Sequence, residues 1–510
     1  MMFALYPAIF LYAANSRIVD FSVVFIPATL LILFALAVWG LLSRVLGDSD
    51  MAAVLTSLPI FAFFSYGAVE RALTSSDAGV WPLLVSGSVV AACGAALALL
   101  KWKQFLAPTN YMLNVISLLL AASPMFQSAL WNYGAFATRD LLPDRAQFEQ
   151  NPLEGKGFEN APDIYYLVLD GYGRSDVLLS DYGFDNAEMI SELRDRGFYV
   201  ADEATANYPF TAASVTSALN LEYLQNLLGE ELSFSTDRRF LRELLGESRT
   251  TRLLRSVGYS IVSFGSEYAE AQVGPVDVDM NPWWFPSQYA QAMALMTPIP
   301  SALAALGQPG LYDLHRYRTL YPFERLGDTV SLEGPKFVYA HIFFGHPPFV
   351  FGAEGEPISA GADYTWNDGS RLLEEDNDQR REYVEGYNSQ ITYLNSRLKR
   401  TIDEIIARSE TPPIILIHGD HGPGARYDTE SLENTDVRER FGIFFAALLP
   451  DGGSEDLYSS ISPVNGMRIV FNRYFDTEFP LLDDVRYFSP TLTPYEFRLV
   501  DSDGLQATRR

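Results

Sequence analysis

The sequence predicts an α/β chain in two parts: an N-terminal bundle of about five transmembrane helices, then an α/β sandwich with a largely parallel central sheet. Three observations predict it. Four uncharged stretches long enough to span a membrane lie within the first 138 residues. Beyond about residue 160, short apolar runs alternate with helical patterns, as the strands and crossovers of a parallel sheet do. Several of those runs end on Asp, His and Gly, residues suited to turns at the carboxyl edge of such a sheet, where ligands bind.

Residues 21–43, 51–69, 78–100 and 104–138 carry no charge, and each is long enough for a bilayer-spanning helix, which needs about 20 apolar residues. Residues 1–16 are also uncharged but shorter. They lack the basic start of a signal peptide, and more spans follow, so they read as a short first span. With five spans, an internal N-terminus puts Arg44, Lys101 and Lys103 in cytoplasmic loops against Arg17 and Arg71 outside. This places the rest of the chain outside the cytoplasm. The division read from the sequence is 1–131 transmembrane, 132–160 connector and 161–510 extracytoplasmic domain.

Residues 1–140 hold six basic and six acidic side chains, so the net charge of −26 lies wholly in 141–510. So acidic a domain is a poor partner for nucleic acid or anionic headgroups. The single cysteine, Cys93, falls in the fourth uncharged stretch, which leaves the second part without a disulfide framework or thiol chemistry.

In the second part, 164–169 reads as a strand ending at Asp170-Gly171, 185–196 as a helix and 197–200 as a short strand. Helices are predicted over 211–219 and 237–256, and a strand over 259–264. The stretch 270–330, with Asn281-Pro282-Trp283-Trp284-Phe285-Pro286, has no clean period and reads as an insertion or lid. A strand over 337–342 follows. Tyr387, Ile391, Leu394, Leu398, Ile402 and Ile405 recur at three-to-four spacing and predict one long helix over 379–409. Ile414-Ile415-Leu416-Ile417 is a strand leading into His418-Gly419-Asp420-His421-Gly422; a strand over 442–449 and a helix over 467–474 complete the series.

Four of the five histidines, His341, His346, His418 and His421, lie at or just after predicted strand ends, as does Asp170. If those strands are neighbours, Asp170, Asp420 and His421 converge on one divalent cation. Carboxylate oxygens with an imidazole suit Zn²⁺ or Mn²⁺, with Mg²⁺ or Ca²⁺ less favoured. Thr211 follows Pro209 at a helix start, where it is either an N-cap or a nucleophile beside free amides and the positive end of the helix dipole. His346, on the Pro347-Pro348 turn, suits a group that protonates a leaving oxygen or binds phosphate. His341 reads as a core histidine or as support behind the metal, and His418 likewise as packing or support.

In combination and order, Leu169-Asp170-Gly171, Thr211-Ala212-Ala213-Ser214, His346-Pro347 and Asp420-His421-Gly422 resemble the alkaline phosphatase superfamily. The closer match is its sulfatase-like branch, with the lipoteichoic acid synthases and lipid A phosphoethanolamine transferases. The resemblance covers essentially the whole chain. It implies an alkaline-phosphatase/sulfatase-like α/β sandwich and a multi-pass protein of the bacterial inner membrane with its catalytic domain outside the cytoplasm. It also implies that Asp170, Thr211, Asp420 and His421 ligate one metal ion, that Thr211 becomes phosphorylated, and that His346 contacts the substrate phosphate. Three departures stand out. Asp170 occupies the place of the transferases' glutamate. The cysteine pairs of the phosphoethanolamine transferases are absent. Aligning on Pro209 puts Asn207 at the formylglycine position of true sulfatases and Thr211 in place of their arginine, which makes Asn207 a candidate substrate contact and argues against sulfate-ester hydrolysis.

The function expected is a membrane-anchored, metal-dependent phosphotransferase or phosphodiesterase that takes a headgroup from a membrane lipid donor to a glycan or lipid acceptor. A phosphatase or sulfuric-ester hydrolase of the same superfamily is one alternative. A non-catalytic membrane sensor or assembly protein is another, and the retained Asp170, Thr211, Asp420 and His421 argue against it.

Overall fold

Residue-by-residue alternation along one buried strand organises the second half of this chain, and unbroken apolar composition organises the first. A computed structural model describes residues 2–74, 103–139, 148, 150–156, 161–229, 232–266, 268–358, 368–369, 377–500 and 507–508. The chain divides into two units, one of residues 1–139 with 284–311 and the other of 140–283 with 312–510.

The first unit holds helices α1 (Met2–Asn15), α2 (Phe25–Leu46), α3 (Ser49–Thr74) and α4 (Lys103–Arg139). Among the described residues, three helices are long and apolar enough to cross a membrane: Phe21–Leu46, Ser49–Glu70 and Ala107–Leu130, with mean hydropathy 2.6, 1.7 and 1.5. Leu30, Phe34 and Leu41 of α2 point away from protein, and Ala35 is its one buried residue, which is the distribution of a lipid-facing helix. Gly47 ends α2 in the left-handed conformation (φ 66°) and donates its N–H to the Ser43 carbonyl. α1, at 14 residues, is an apolar helix about 21 Å long, short of a full bilayer core. The stretch 78–100, expected as another span, lies outside the described residues. Two short helices, Gln288–Ala294 and Ile299–Ala305, belong to this unit, although the sequence places them in the middle of the second part.

The second unit is built on a seven-stranded sheet in the order β2-β7-β6-β1-β5-β3-β4. The strands are β1 (Ile164–Asp170), β2 (Tyr199–Val200), β3 (Ser260–Ser263), β4 (Val278–Asp279), β5 (Lys336–Phe343), β6 (Ile414–His418) and β7 (Phe445–Leu448). β1 runs parallel to both β5 and β6, and β3 parallel to β5 and β4; β7 is antiparallel to β6, and β2 to β7. Every residue of β1 is buried, as expected of a central strand covered on both faces.

One face carries Ile164, Tyr166 and Val168 with Phe337, Tyr339 and Leu416, beneath helix α5 (Thr211–Asn220). The other carries Tyr165, Leu167 and Leu169, beneath helix α6 (Asn377–Arg408) and the apolar stripe from Tyr387 to Ile405. The register sets Val168 opposite both His341 and His418. Period-two alternation therefore brings Asp170, His341 and His418 to the α5 face. A helix α7 (Pro463–Tyr474) packs on that same face.

Several elements differ from expectation. The helix expected over 237–256 is two helices, Arg239–Gly246 and Arg249–Ser256, because Ser248 between them caps the second by accepting the Thr251 N–H at 3.3 Å. The stretch 270–330 is not one insertion: it holds β4, the two short helices of the first unit and the helix Leu311–Arg325. A helix Ser175–Tyr182 and a small antiparallel sheet of β8 (Arg486–Phe488), β9 (Arg498–Val500) and β10 (Ala507–Thr508) were not legible as elements.

Candidate metal centre

At the carboxyl end of β1 the chain turns sharply at Gly171 (φ 73°). A Cβ there would lie 2.8 Å from the Gly345 carbonyl oxygen, so only glycine lets the loops after β1 and β5 touch. Gly345 N–H in turn donates to the Asp170 carbonyl at 2.7 Å. This contact sets Asp170 beside the end of β5, and the parallel register does the same for the loop after β6. There the Gly171 and His421 amides both donate to Asp420 Oδ1, at 3.2 and 3.0 Å, which leaves Oδ2 directed inward.

Asp170, His341 and Asp420 each offer a donor atom, all within 4.8 Å of one another and all buried. His341 Nε2 stands 3.6 Å from Asp170 Oδ2 and 3.9 Å from Asp420 Oδ2. Asp170 Oδ1, Asp420 Oδ2 and His341 Nε2 have no hydrogen-bond partner. Buried polar atoms without partners are costly, and three in one place mark a position built for a cation.

His421 strengthens this reading. Its Nδ1 lies 2.9 Å from the Gly422 carbonyl, which can only accept, so Nδ1 carries the proton. Burial and the Arg440 guanidinium push the ring's pKa down to about 4, so Nε2 is bare. That bare nitrogen faces Asp170 Oδ1 at 3.3 Å and Asp420 Oδ2 at 3.5 Å. Lone pairs facing lone pairs repel unless a cation lies among them, and two carboxylates with imidazole nitrogens suit a divalent transition ion. Burial, with the Asp420 carboxylate beside it, pushes the Asp170 carboxyl well above the usual range, so the two carboxylates resist carrying two charges without a counter-charge.

Thr211 is the first residue of α5 and not its N-cap. Phe210, in extended conformation (φ −144°, ψ 152°), holds the cap position and makes no side-chain cap bond. The Thr211 hydroxyl is therefore not engaged in capping; its Oγ1 lies 3.3 Å from His421 Nε2, at the positive end of a ten-residue, wholly buried helix.

His346 is half-buried, its ring 6.4 Å from that of His421 and edge-on to Phe343. Its Nδ1 lies 2.6 Å from the Pro347 carbonyl, which assigns the proton to Nδ1 and leaves Nε2 to take or give one. His341 Nδ1 pairs with Ser266 Oγ at 2.8 Å, so its Nε2 points into the cluster from a firmly held ring. His418 stands behind the Asp420 loop: Nδ1 meets the Gly419 carbonyl and Nε2 the Tyr166 hydroxyl, each at 2.8 Å.

Asn207 is not brought to the cluster. Its amide donates to Tyr223 Oη at 3.2 Å and the Val485 carbonyl at 3.0 Å, and its Oδ1 accepts the Val464 N–H at 3.2 Å. These three contacts hold the loop before α5 to α7.

Sequence reasoning missed Arg440 and Asp368. Arg440, buried in the short helix Val437–Phe441, donates from Nε to the Pro209 carbonyl at 2.7 Å and from Nη1 to the Gly422 carbonyl at 3.1 Å. Nη1 also pairs with Asp368 Oδ2 at 2.6 Å, and the guanidinium lies 3.9 Å over the Tyr427 ring. One side chain thus ties the loop that carries Thr211 to the loop that carries His421. Against the desolvation of burial, Arg440 and His346 hold the Asp368 carboxyl below its usual range. Nothing in the local sequence around Arg440 marks it, because its four partners come from other segments of the chain.

No family model and no curated protein matches the chain. Similar solved structures include the C-terminal periplasmic domain of EptC from Escherichia coli, 14% identical over 65% of this chain and 91% of that one, with a TM-score of 0.41. Another is the integral membrane lipooligosaccharide phosphoethanolamine transferase A, EptA, from Neisseria meningitidis, 11% identical over 91% of this chain and 92% of that one, TM-score 0.37. A 2-O GAG sulfatase is 12% identical over 63% of this chain and 72% of that one, TM-score 0.38.

Proposed function

We propose that this chain is a membrane-anchored, metal-dependent phosphotransferase of the sulfatase-like type, with its catalytic unit outside the cytoplasm. It would move a phosphoryl-linked headgroup from a lipid donor to a glycan or lipid acceptor through a phospho-threonine at Thr211. The observation that carries this reading is the Thr211 hydroxyl: uncommitted to capping, at a helix N-terminus, 3.3 Å from His421 Nε2 and beside three partnerless donor atoms.

Asp170, Asp420, His341 and His421 would hold the cation, with Thr211 Oγ1 at its edge; zinc or manganese suits this set best. A divalent ion there lowers the pKa of an adjacent hydroxyl and offsets charge on a phosphoryl oxygen. Thr211, its hydroxyl proton passed to water beforehand, forms the bond from Oγ1 to phosphorus as the bond from phosphorus to the leaving oxygen breaks and that oxygen keeps the electron pair. The free amides of the first turn of α5 stabilise the charge that gathers on the phosphoryl oxygens. His346, entering the step with a proton on both ring nitrogens, gives the one on Nε2 to the leaving oxygen. In the second half, an acceptor hydroxyl returns a proton to that nitrogen, bonds to phosphorus and releases Thr211.

The test is trapping. The protein is incubated with a glycerophospholipid donor, quenched in acid, and the Thr211 peptide is weighed by mass spectrometry. A phosphoryl-linked adduct on Thr211 is expected, and Thr211→Ala should lose both the adduct and turnover. Undiminished turnover in Thr211→Ala would sink the proposal. Release of free headgroup phosphate without transfer to any acceptor would make the enzyme a hydrolase.

A further inference from the structure

The segment 281–312 is uncharged from end to end, in a half of the chain that carries the whole net charge of −26. Asp277 and Asp279 precede it, and Asp313, Arg316 and Arg318 follow it. Residues 284–311 leave the second unit and return to it, and between those points they pack with the N-terminal helices.

That packing is specific. Tyr289, buried among Ala8, Tyr12 and Val24, donates its hydroxyl to the Ala8 carbonyl at 2.5 Å. The Met296 carbonyl lies 3.1 Å from the Gly67 amide, and a Cβ on Gly67 would fall 2.0 Å from the Leu295 carbonyl oxygen. Ser301 Oγ donates to Glu70 Oε1 at 2.6 Å, where Tyr66 also binds. These sites lie from the middle of α1 onward, just before α2 and in the last turns of α3. For consecutive antiparallel spans, that is one side of a membrane.

The exposed positions of the segment are mostly apolar, Ser287 and Gln308 apart. The helix Ile299–Ala305 has no buried residue, Ile299 is 45% exposed and Leu306 72%. Trp283 and Trp284 lead into it. Short uncharged helices with tryptophan at one end, packed beside membrane-spanning helices, have the composition of the bilayer interface.

We propose that residues 284–311 form a second, interfacial membrane anchor, with the Ile299–Leu306 face lying in the headgroup region beside the ends of α1, α2 and α3. The anchor is independent of the chemistry proposed at Thr211. It means that the second unit is tied to the bilayer through three chain crossings, near residues 139, 283 and 311, and not through one linker.

The test uses the full chain in nanodiscs of phosphatidylethanolamine and phosphatidylglycerol, in a Cys93→Ala background. Leu306→Cys is labelled with an environment-sensitive fluorophore. Phe234→Cys, at a site 91% exposed in the second unit, is the water reference, and Leu30→Cys in α2, 62% exposed, is the lipid reference. The label at 306 should emit to the blue of that at 234. Shallow doxyl lipids should quench it about twofold more strongly, as a depth of ~5–10 Å requires. Quenching by aqueous iodide with none by doxyl lipid would overturn the proposal. Protection from both would overturn it too, since protein would then cover the face. If Leu306→Cys does not fold, brominated lipids applied to the parent and to a Trp283→Phe/Trp284→Phe variant give a second reading. Quenching should fall in the variant, and equal quenching in both would reject the anchor.

Discussion

Arg440 shows how one buried side chain can set the geometry of two loops. Its contacts to the Pro209 and Gly422 carbonyls lie two residues before Thr211 and one after His421. Arg440→Ala should therefore misplace Thr211 against the metal ligands, and a displacement near 1 Å costs about 10²-fold in rate. Arg440→Lys should recover only part of it, because a lysine cannot fork between carbonyl and carboxylate. Metal content distinguishes positioning from collapse: the alanine variant should keep stoichiometric metal while kcat falls, and loss of both together would mean that the arginine is merely structural. His418 supplies a second prediction at this scale. Burial pushes its imidazole pKa down from 6.5 to about 4, so between those values the unfolded chain binds a proton that the folded chain refuses. Its contribution to stability is complete above pH 6.5 and is lost as pH falls toward 4, about 2 kcal/mol of it between pH 7 and pH 5. Thermal unfolding in detergent should show a smaller acid loss for His418→Gln, which keeps a donor for the Gly419 carbonyl; an unchanged slope would show that the acid sensitivity lies elsewhere. Asp170, Thr211, Asp420 and His421 could be singled out as candidates because each lies at or just after a strand end or at a helix start, which is a strong local signal. Arg440, Asp368 and Ser266 were not, because their roles exist only through partners far along the chain.

Among the elements, the strands that carry the site and the α6 helix were legible from apolar runs and from the three-to-four spacing. Those patterns report burial, and the sheet's faces follow from them. Boundaries set by capping were less visible: the break at Ser248 and the position of Thr211 one residue inside α5 both depend on backbone conformation that period alone does not report. The reversed direction of β7 also leaves no mark in a run of apolar residues. The meeting of the loops after β1 and β5 yields a prediction of its own. A Cβ on Gly345 would lie 2.5 Å from the Gly171 carbonyl oxygen and 2.6 Å from Tyr387 Cε2. Gly345→Ala should force the two loops apart, cost about 1–3 kcal/mol of stability and move Asp170 away from His341. Metal analysis after dialysis should then find the site depleted and the melting temperature lowered. Full metal occupancy with an unchanged melting temperature would mean that the loops separate freely and that the glycines do not set the site.

At the scale of the whole molecule, hydropathy located the helical part, but it could not say that a stretch 145 residues beyond Arg139 belongs with it. The clue was present as the missing charge of 281–312; its meaning required the contacts of Tyr289, Met296 and Ser301. The consequence is a prediction about what can be separated from what. Cutting at residue 139 yields a fragment, 140–510, that carries the acidic second unit but strips residues 284–311 of the helices they pack on. Tyr289, Met293 and the apolar neighbours of Ser301 would then face water together with the already exposed Ile299 and Leu306. Contiguous apolar surface of that kind drives self-association whatever the net charge of the remainder. In detergent-free buffer, fragment 140–510 should elute from size exclusion as aggregate or bind to added vesicles. The same fragment with 284–311 replaced by a Gly/Ser linker should elute as a single acidic species that still binds one divalent ion, because Asp170, His341, Asp420 and His421 all lie in the second unit. Monodisperse behaviour of the unreplaced fragment would show that the apolar segment folds back on its own unit and owes nothing to the membrane helices.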